Sequence, residues 1–314
     1  MKLKTNIKIS APATISNLGI GLDCLGLALN LPSDEIIATE ADTPGIHIQQ
    51  IINNKANLLL DTTSNSAGIA AKRTLDYLKE THGIEQNIGL NLKLVKKIPM
   101  GFGLGSSVAS AVAGAMAVNE SFTDPLPKRQ LLSLISTGET DVRRIDKTHT
   151  IAPCLIGGMV LTSDHKTLDI HRLPNIKGLQ IVVIYKKKRH NINTSPRVNF
   201  NKTATIQQVA NAASLVQSLH LSNLDLLAQS LQTPLGEELF AKEIPHFNTL
   251  KQIALDQKAL NFTAISNDFA FFSICKNTLE ANNVAEAITH FLEEKKIETR
   301  VIISDINQEG AYKN

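Results

Sequence analysis

The stretch Pro99-Met100-Gly101-Phe102-Gly103-Leu104-Gly105-Ser106-Ser107 constrains the fold of this chain more than any other. Three glycines at alternate positions and a pair of serines lead into Val108-Ala109-Ser110-Ala111-Val112-Ala113-Gly114-Ala115-Met116-Ala117-Val118, which is small or apolar on every face. Such a run reads as a helix buried on all sides. Upstream, Ile88-Gly89-Leu90-Asn91-Leu92-Lys93-Leu94-Val95 alternates as a half-buried strand does. The order is therefore strand, glycine loop, helix N-terminus. Orphan N–H groups and the positive end of the helix dipole meet there, which suits an anion such as phosphate. Ser106 or Ser107 can cap the helix, and a hydroxyl at that place can also reach phosphate or Mg²⁺. No Lys stands between the last glycine and the serines, so this is not a Walker A loop; Lys96 and Lys97 precede it.

A chain of 314 residues can bury a large core and favours two domains. A net charge of +3 is too small to argue for nucleic acid, and 4% aromatic residues without Trp leave few rings for base stacking. The N-terminal residues Met1 to Asn6 carry no signal-peptide core, and no apolar run reaches the length of a membrane span. Cys24, Cys154 and Cys275 lie far apart in apolar or small-residue surroundings without metal-ligand spacing. Free thiols in a reducing cytoplasm are the expected state. A homodimer is expected only as the commonest assembly of soluble enzymes.

Along the chain, Ile7–Ser10 reads as a short strand running into a second glycine-punctuated loop, Ala11 to Gly26, that holds the polar residues Asn17 and Asp23. Strands follow at Leu25–Leu29 and Ile46–Ile52. Thr63–His82 is amphipathic, with Ser64 or Asn65 as its N-cap. Another helix fits Lys128–Asp141, with Glu139 near its end. Ala152 to Leu161 crosses a Gly157-Gly158 turn into a strand, and the domain boundary is placed there, dividing the chain into residues 1–160 and 161–314. The second half alternates strands (Leu179–Tyr185, Phe262–Ile265, Phe271–Cys275, Thr299–Ser304) with helices, the pattern of a two-layer α+β domain. The basic run Lys186 to His190 reads as a solvated loop or as support for an anionic ligand.

Three stretches carry a family resemblance. Ala11 to Asp23 resembles the first motif of homoserine kinases, within the GHMP small-molecule kinase superfamily. Pro99 to Ala109 resembles the second, the P-x-x-x-G-L-G-S-S phosphate loop. Gly138-Glu139, Ile151-Ala152-Pro153 and Gly157-Gly158 resemble the segment that closes the first domain. The resemblance implies an α+β, two-domain GHMP kinase architecture: an N-terminal domain like ribosomal-protein-S5 domain 2, a ferredoxin-like C-terminal domain, and ATP between them. It also implies Mg²⁺-ATP-dependent phosphorylation of the side-chain hydroxyl of L-homoserine, a step of threonine synthesis. Residue by residue, Pro99, Met100, Gly101, Phe102, Gly103, Leu104, Gly105, Ser106, Ser107, Val108 and Ala109 would wrap the triphosphate. Asn65 would lie near the adenine, and Ser107 with Glu139 would hold Mg²⁺. Asn17 and Asp23 would face the amino-acid substrate. Asp23 would either orient the accepting hydroxyl or pair with the substrate ammonium.

The substrate side departs from the family pattern. Where H-x-D-N is usual, the chain has Lys147-Thr148-His149-Thr150, so His149 and Thr150 stand at substrate positions. His149 reads as a hydrogen-bonded structural residue before a general base. The third motif, S-G-S-G-P in the family, appears as Ser266-Asn267-Asp268-Phe269-Ala270, with charge at Asp268 and bulk at Phe269. Of the carboxylate-gripping arginines Arg197 remains, while Ile192 replaces its partner and Thr233-Pro234-Leu235-Gly236 lacks the other. Two further readings stay open: a GHMP-fold kinase for another small hydroxylated acceptor, and a nucleotide-binding protein without catalysis.

Overall fold

The computed structural model describes residues 3–4, 6–21, 23–143, 147–187, 202–231, 237–266 and 269–314, the side chains of 137–143, 238–239 and 266 excepted. The chain opens with three strands, β1 (Ile7–Ser16), β2 (Leu25–Glu40) and β3 (Gly45–Ile52). Helix α1 (Ser66–Thr81) then crosses over to β4 (Gly89–Val95), which pairs parallel with β3, as strands joined through a helix can. Three helices follow: α2 (Ser106–Glu120), α3 (Lys128–Arg143) and α4 (Thr148–Ile156). The hairpin β5 (Met159–Asp164) and β6 (Asp169–Arg172) comes next, and the chain's last strand, β11 (Tyr312–Lys313), returns to β1. One seven-stranded sheet results, in the order β11-β1-β2-β4-β3, with β5 beside β2 and β6 beside β5.

The expected boundary at 160/161 is corrected by this topology. It would cut β5, whose Met159 and Leu161 pair with Leu27 and Leu25 of β2. The first sheet runs on to Arg172 and recruits residues 312–313 from the far end of the chain.

The element β1 is also longer than its Ile7–Ser10 signal. Ala11 to Ser16, expected as loop, pairs with β2 on both sides of a register shift between Pro12 and Thr14. Proline has no N–H to give a ladder and is tolerated at such bulges. Nearly all of β1 is buried, because helices pack on it through small side chains. At Gly26 of β2 an added Cβ would sit 2.0 Å from the carbonyl oxygen of His149. The first turn of α4 therefore rests directly on the sheet there. Helix α4 was hidden in the sequence by Pro153, which sits inside it and reads locally as a helix breaker. Helix α2 is as expected, with 13 of its 15 residues buried.

The second unit is a four-stranded antiparallel sheet. Its strands are β7 (Gln180–Lys186), β8 (Thr263–Ser266), β9 (Ala270–Cys275) and β10 (Thr299–Asp305), in the order β10-β7-β9-β8. Between β7 and β8 run α5 (Lys202–Leu221), α6 (Leu224–Ser230), α7 (Glu237–Glu243) and α8 (Phe247–Asp256); α9 (Thr278–Glu294) joins β9 to β10. This is the ferredoxin-like split βαββαβ arrangement. The alternation of β7 sorts its side chains between two cores. Val182 and Ile184 pack with Phe271 of β9 and with Phe247, Ile288 and Leu292 of the α8/α9 layer. Ile181, Val183 and Tyr185 join Leu215 of α5, Leu227 of α6 and the core of the first unit. The core of the first unit thus runs on to one face of the second sheet, while the other face has a core of its own.

Candidate active site

The glycine loop is fixed from three directions. Gly101, Gly103 and Gly105 have φ of 91°, 77° and 70°, the left-handed region that glycine enters without the Cβ penalty. The N–H of Thr14 on β1 donates to the carbonyl of Leu104 (3.2 Å). A Cβ on Gly103 would come within 2.7 Å of Ile265 Cγ2 on β8, and the Phe102 ring packs at a tilt against Tyr185 of β7, ring centres 4.8 Å apart. Of the loop expected to wrap a ligand, Phe102 is thus turned into the core, and Ala109 is fully buried in α2. Pro99, Met100, Gly101, Gly103, Leu104, Gly105, Ser106, Ser107 and Val108 line an open cleft of about 720 Å³.

The capping expectation is corrected: the N-cap of α2 is Gly105, not Ser106 or Ser107, and no side chain caps the helix. Donors of an uncapped first turn are the ones available to an anion. A second helix N-terminus faces the same cleft. Asn65 is the N-cap of α1: its Oδ1 accepts from the Ala67 N–H (3.0 Å), and its Nδ2 donates to the Leu59 carbonyl (3.0 Å). Ser66 and Ser107 share a hydroxyl hydrogen bond of 2.9 Å, which joins the first turns of α1 and α2. Two dipoles therefore converge where the sequence promised one.

The same cleft is also lined by Asp23, Lys147, His149 and Thr150. Asn17 and Asp23 both adopt φ of 57°, which Asn and Asp tolerate better than most residues. The Asp23 N–H donates to Asn17 Oδ1 (2.6 Å), and Asn17 Nδ2 donates to Asp23 Oδ1 (3.4 Å). Asn17 is not among the residues lining the cleft; it fixes the loop that presents Asp23, whose side chain is 73% exposed. His149 is buried in the first turn of α4 with its Nε2 3.8 Å from Asp23 Oδ1. The sequence offered no orienting partner for His149, and the structure supplies a carboxylate beside it.

Glu139 lies in α3, with its side chain outside the described residues; Arg197, Ile192, Asp268 and residues 233–236 also lie outside them. Phe269, the bulky residue of the third-motif stretch, is 3% exposed and packs edge-on against Phe271. Of the basic run, Lys186 Nζ sits 4.5 Å over the Phe269 ring and Lys187 pairs with Glu298 at 3.1 Å, while Lys188, Arg189 and His190 lie outside the described residues.

Beneath the loop is a buried ion pair that the motif reading missed. Lys96 and Asp34 are 4% and 1% exposed. Lys96 Nζ donates to Asp34 Oδ2, to the Ser106 carbonyl (3.0 Å) and to Ser110 Oγ (2.6 Å). Asp34 Oδ1 accepts the N–H groups of Lys97 (2.8 Å) and Ile98 (2.9 Å). Burial pushes the Lys96 amine below its ordinary range, against the opposing charge and hydrogen bond of Asp34. Strand periodicity held the signal. Leu90, Leu92 and Leu94 face inward, so Lys96 continues their face, where a charge requires a partner.

A glycine cradle at two helix N-termini, roofed by a ferredoxin-like sheet, is the architecture of a GHMP kinase. The model of the GHMP kinase N-terminal domain matches residues 70–158. The homoserine kinase of Methanococcus vannielii is 31% identical over 228 residues, covering 71% of this chain and 72% of its own length. That of Chlorobium phaeobacteroides is 29% identical over 312 residues, covering 96% and 97%. The crystal structure of homoserine kinase from Cytophaga hutchinsonii superposes with a TM-score of 0.91 at 30% identity, covering 100% of this chain and 99% of that one. The chain belongs to the homoserine kinase family of GHMP kinases.

Proposed function

We propose that the protein transfers the γ-phosphoryl group of ATP to the side-chain hydroxyl of L-homoserine, giving O-phospho-L-homoserine for threonine synthesis. The observation that carries this reading is the cleft itself: one cavity lined both by the glycine loop at a helix N-terminus and by a carboxylate and an imidazole 3.8 Å apart. Left-handed glycines that lead into an uncapped helix N-terminus fit a triphosphate against the backbone. Asn65 borders the region assigned to adenine. Ser107, with Glu139 of α3, would hold Mg²⁺, which when bound neutralises phosphate charge.

Phosphoryl transfer is mostly positioning plus charge stabilisation, so no strong base is required. The uncapped first-turn amides of α2, with the dipole of α1 beside them, stabilise the negative oxygens where they stand, without reorganising. Asp23 accepts a hydrogen bond from the substrate hydroxyl or pairs with its ammonium, and Asn17 holds the Asp23 backbone for that purpose. His149 and Thr150 complete the acceptor pocket, with Arg197 assigned to the carboxylate. We place the reaction in the cytoplasm, on three free cysteines, and take a homodimer as the working assembly.

The test is a coupled assay with Mg-ATP and a panel of homoserine, mevalonate and sugar acceptors. Turnover with homoserine supports the reading. Turnover with another acceptor alone replaces it by a different GHMP-fold kinase, to which His149-Thr150 and Ile192 would belong. Nucleotide binding without turnover replaces it by a non-catalytic role. Ser107→Ala and Glu139→Ala should each lower kcat by about two orders of magnitude; near-wild-type rates in both would remove the metal assignment.

A further inference from the structure

The Lys96–Asp34 pair lies under the phosphate loop, yet its geometry is not that of a phosphate ligand. An ammonium has three N–H donors. All three of Lys96 are taken, by Asp34 Oδ2, the Ser106 carbonyl and Ser110 Oγ. Asp34 is equally engaged: Oδ1 accepts the N–H groups of Lys97 and Ile98, and Oδ2 also receives the Ser106 hydroxyl at 3.4 Å. Lys97 and Ile98 are the residues by which the chain enters the loop, and Ser106 is where it leaves into α2. The antiparallel register that pairs Glu35 with Val95 sets Asp34 opposite Lys96, so the sheet itself aligns the two.

We infer that Lys96 and Asp34 are positioning residues for phosphoryl transfer, a buried clasp that ties the entrance of the glycine loop to the first turn of α2 and so fixes the cradle. This deepens, and rests on, the reading of the cleft as a nucleotide site. A desolvated pair is a costly way to gain stability, since apolar replacements of similar volume often do as well. What the pair supplies here is placement. Backbone donors act only when held near their target geometry, and a misplacement of about 1 Å can cost a hundredfold in rate.

The discriminating variant is Asp34→Asn with Lys96→Met. Asn keeps a carbonyl oxygen for the Lys97 and Ile98 N–H groups, Met fills the volume of the lysine stem, and no charge is left unpaired. The tie to Ser106 and Ser110 is lost. Thermal unfolding, calorimetry with Mg-ATP and with Mg-ADP, and steady-state kinetics would be run beside wild type. The double variant should unfold close to wild type, yet bind both nucleotides about tenfold more weakly or worse and lose kcat, with the acceptor KM little changed. Wild-type nucleotide affinity and kcat in the double variant would overturn the inference, as would a shift in unfolding temperature without one in affinity. Should that variant fail to fold, Ser110→Ala removes one of the three acceptors and leaves the ion pair. It should weaken Mg-ATP binding by a few fold; unchanged binding there overturns the clasp. Failure of wild type to bind Mg-ATP sinks the nucleotide reading itself, and wild-type binding without homoserine turnover sinks only the acceptor assignment.

Discussion

Gly105 is where the backbone conformation of the loop and its docking onto the sheet coincide. Gly105→Ala carries two separable penalties. Its φ of 70° costs a residue with a Cβ about 1–2 kcal/mol, offset by about 0.4–1 kcal/mol from the stiffer unfolded chain. The new methyl would also sit 2.2 Å from Thr14 Oγ1, while Thr14 Cβ and N lie at an ordinary 3.5 Å. Thr14 is fully buried on β1, so relieving the overlap means turning its side chain or moving the strand, a packing penalty of about 1–3 kcal/mol. Gly83 provides the reference. It has a φ of 64° and nothing within 4 Å of an added Cβ, so Gly83→Ala carries the backbone penalty alone. Chemical denaturation should therefore find Gly105→Ala less stable than Gly83→Ala by about 1–3 kcal/mol. In a Thr14→Ala background the excess should disappear, which is a coupling energy of the same size in a double-mutant cycle. The Thr14 hydroxyl has no hydrogen-bond partner among the described residues, so its removal breaks no bond that would confuse the cycle. Calorimetry with Mg-ATP should follow the same order, because Gly105 is the N-cap of α2. Equal stabilities for the two glycine variants, or a cost at Gly105 that survives Thr14→Ala, would refute the account of how the loop is seated.

The acceptor end, the thiols and the first sheet each give a further expectation. Asp23→Asn should raise the acceptor KM by about 10- to 100-fold, as expected for a charged hydrogen bond of about 1.5–3 kcal/mol, while the Mg-ATP dissociation constant measured by calorimetry stays put. Burial pushes the Cys275 thiol up to about 12, with Glu280 adding to it, and burial with Asp34 drives Cys154 higher still. Both are enclosed, whereas Cys24 is partly exposed, so mass spectrometry after alkylation of the native protein near pH 8 should find label at Cys24 alone. Burial would raise the Glu35 carboxyl, but hydrogen bonds and charge from Lys97 and Lys8 outweigh it and hold it below the ordinary value. Its contribution to stability is then complete at neutral pH and lost as pH falls through that depressed folded value. Denaturation of Glu35→Gln across pH 7 to about 3 should show a deficit at neutral pH that shrinks on the acid side.

How far the molecule was legible in advance follows from which forces act locally. The glycine loop, the all-round burial of α2 and a cap at Ser64 or Asn65, which the structure gives to Asn65, were readable because each depends on a few consecutive residues: φ values, helix periodicity, one side-chain bond. Asp23 and His149 carried chemistry in their residue types, but not their meeting. They are 126 positions apart by number, and what joins them is the seat of α4 on Gly26, a contact no local pattern encodes. The same holds for β1 beyond Ser10 and for α4 itself. Pro12 and Pro153 each argue locally against the element they occupy, and long-range pairing or packing overrides them. The boundary at 160/161 failed for a related reason: a glycine turn marks a change of direction, whereas membership of a sheet is decided by distant partners such as Leu25 and Leu27. Lys96 is the instructive case, since its signal was present and went unused. It sits two residues past Leu94 on the inward face of β4, and Asp34 sits two before Ile36 on the inward face of β2. Opposite charges on the buried registers of two neighbouring strands, one of them at the mouth of the glycine loop, pick out a pair that hydrophobicity alone would reject. A lysine that breaks period two on the dry side of a sheet has to be answered by a carboxylate, and the question that finds it is what each buried charge is holding in place.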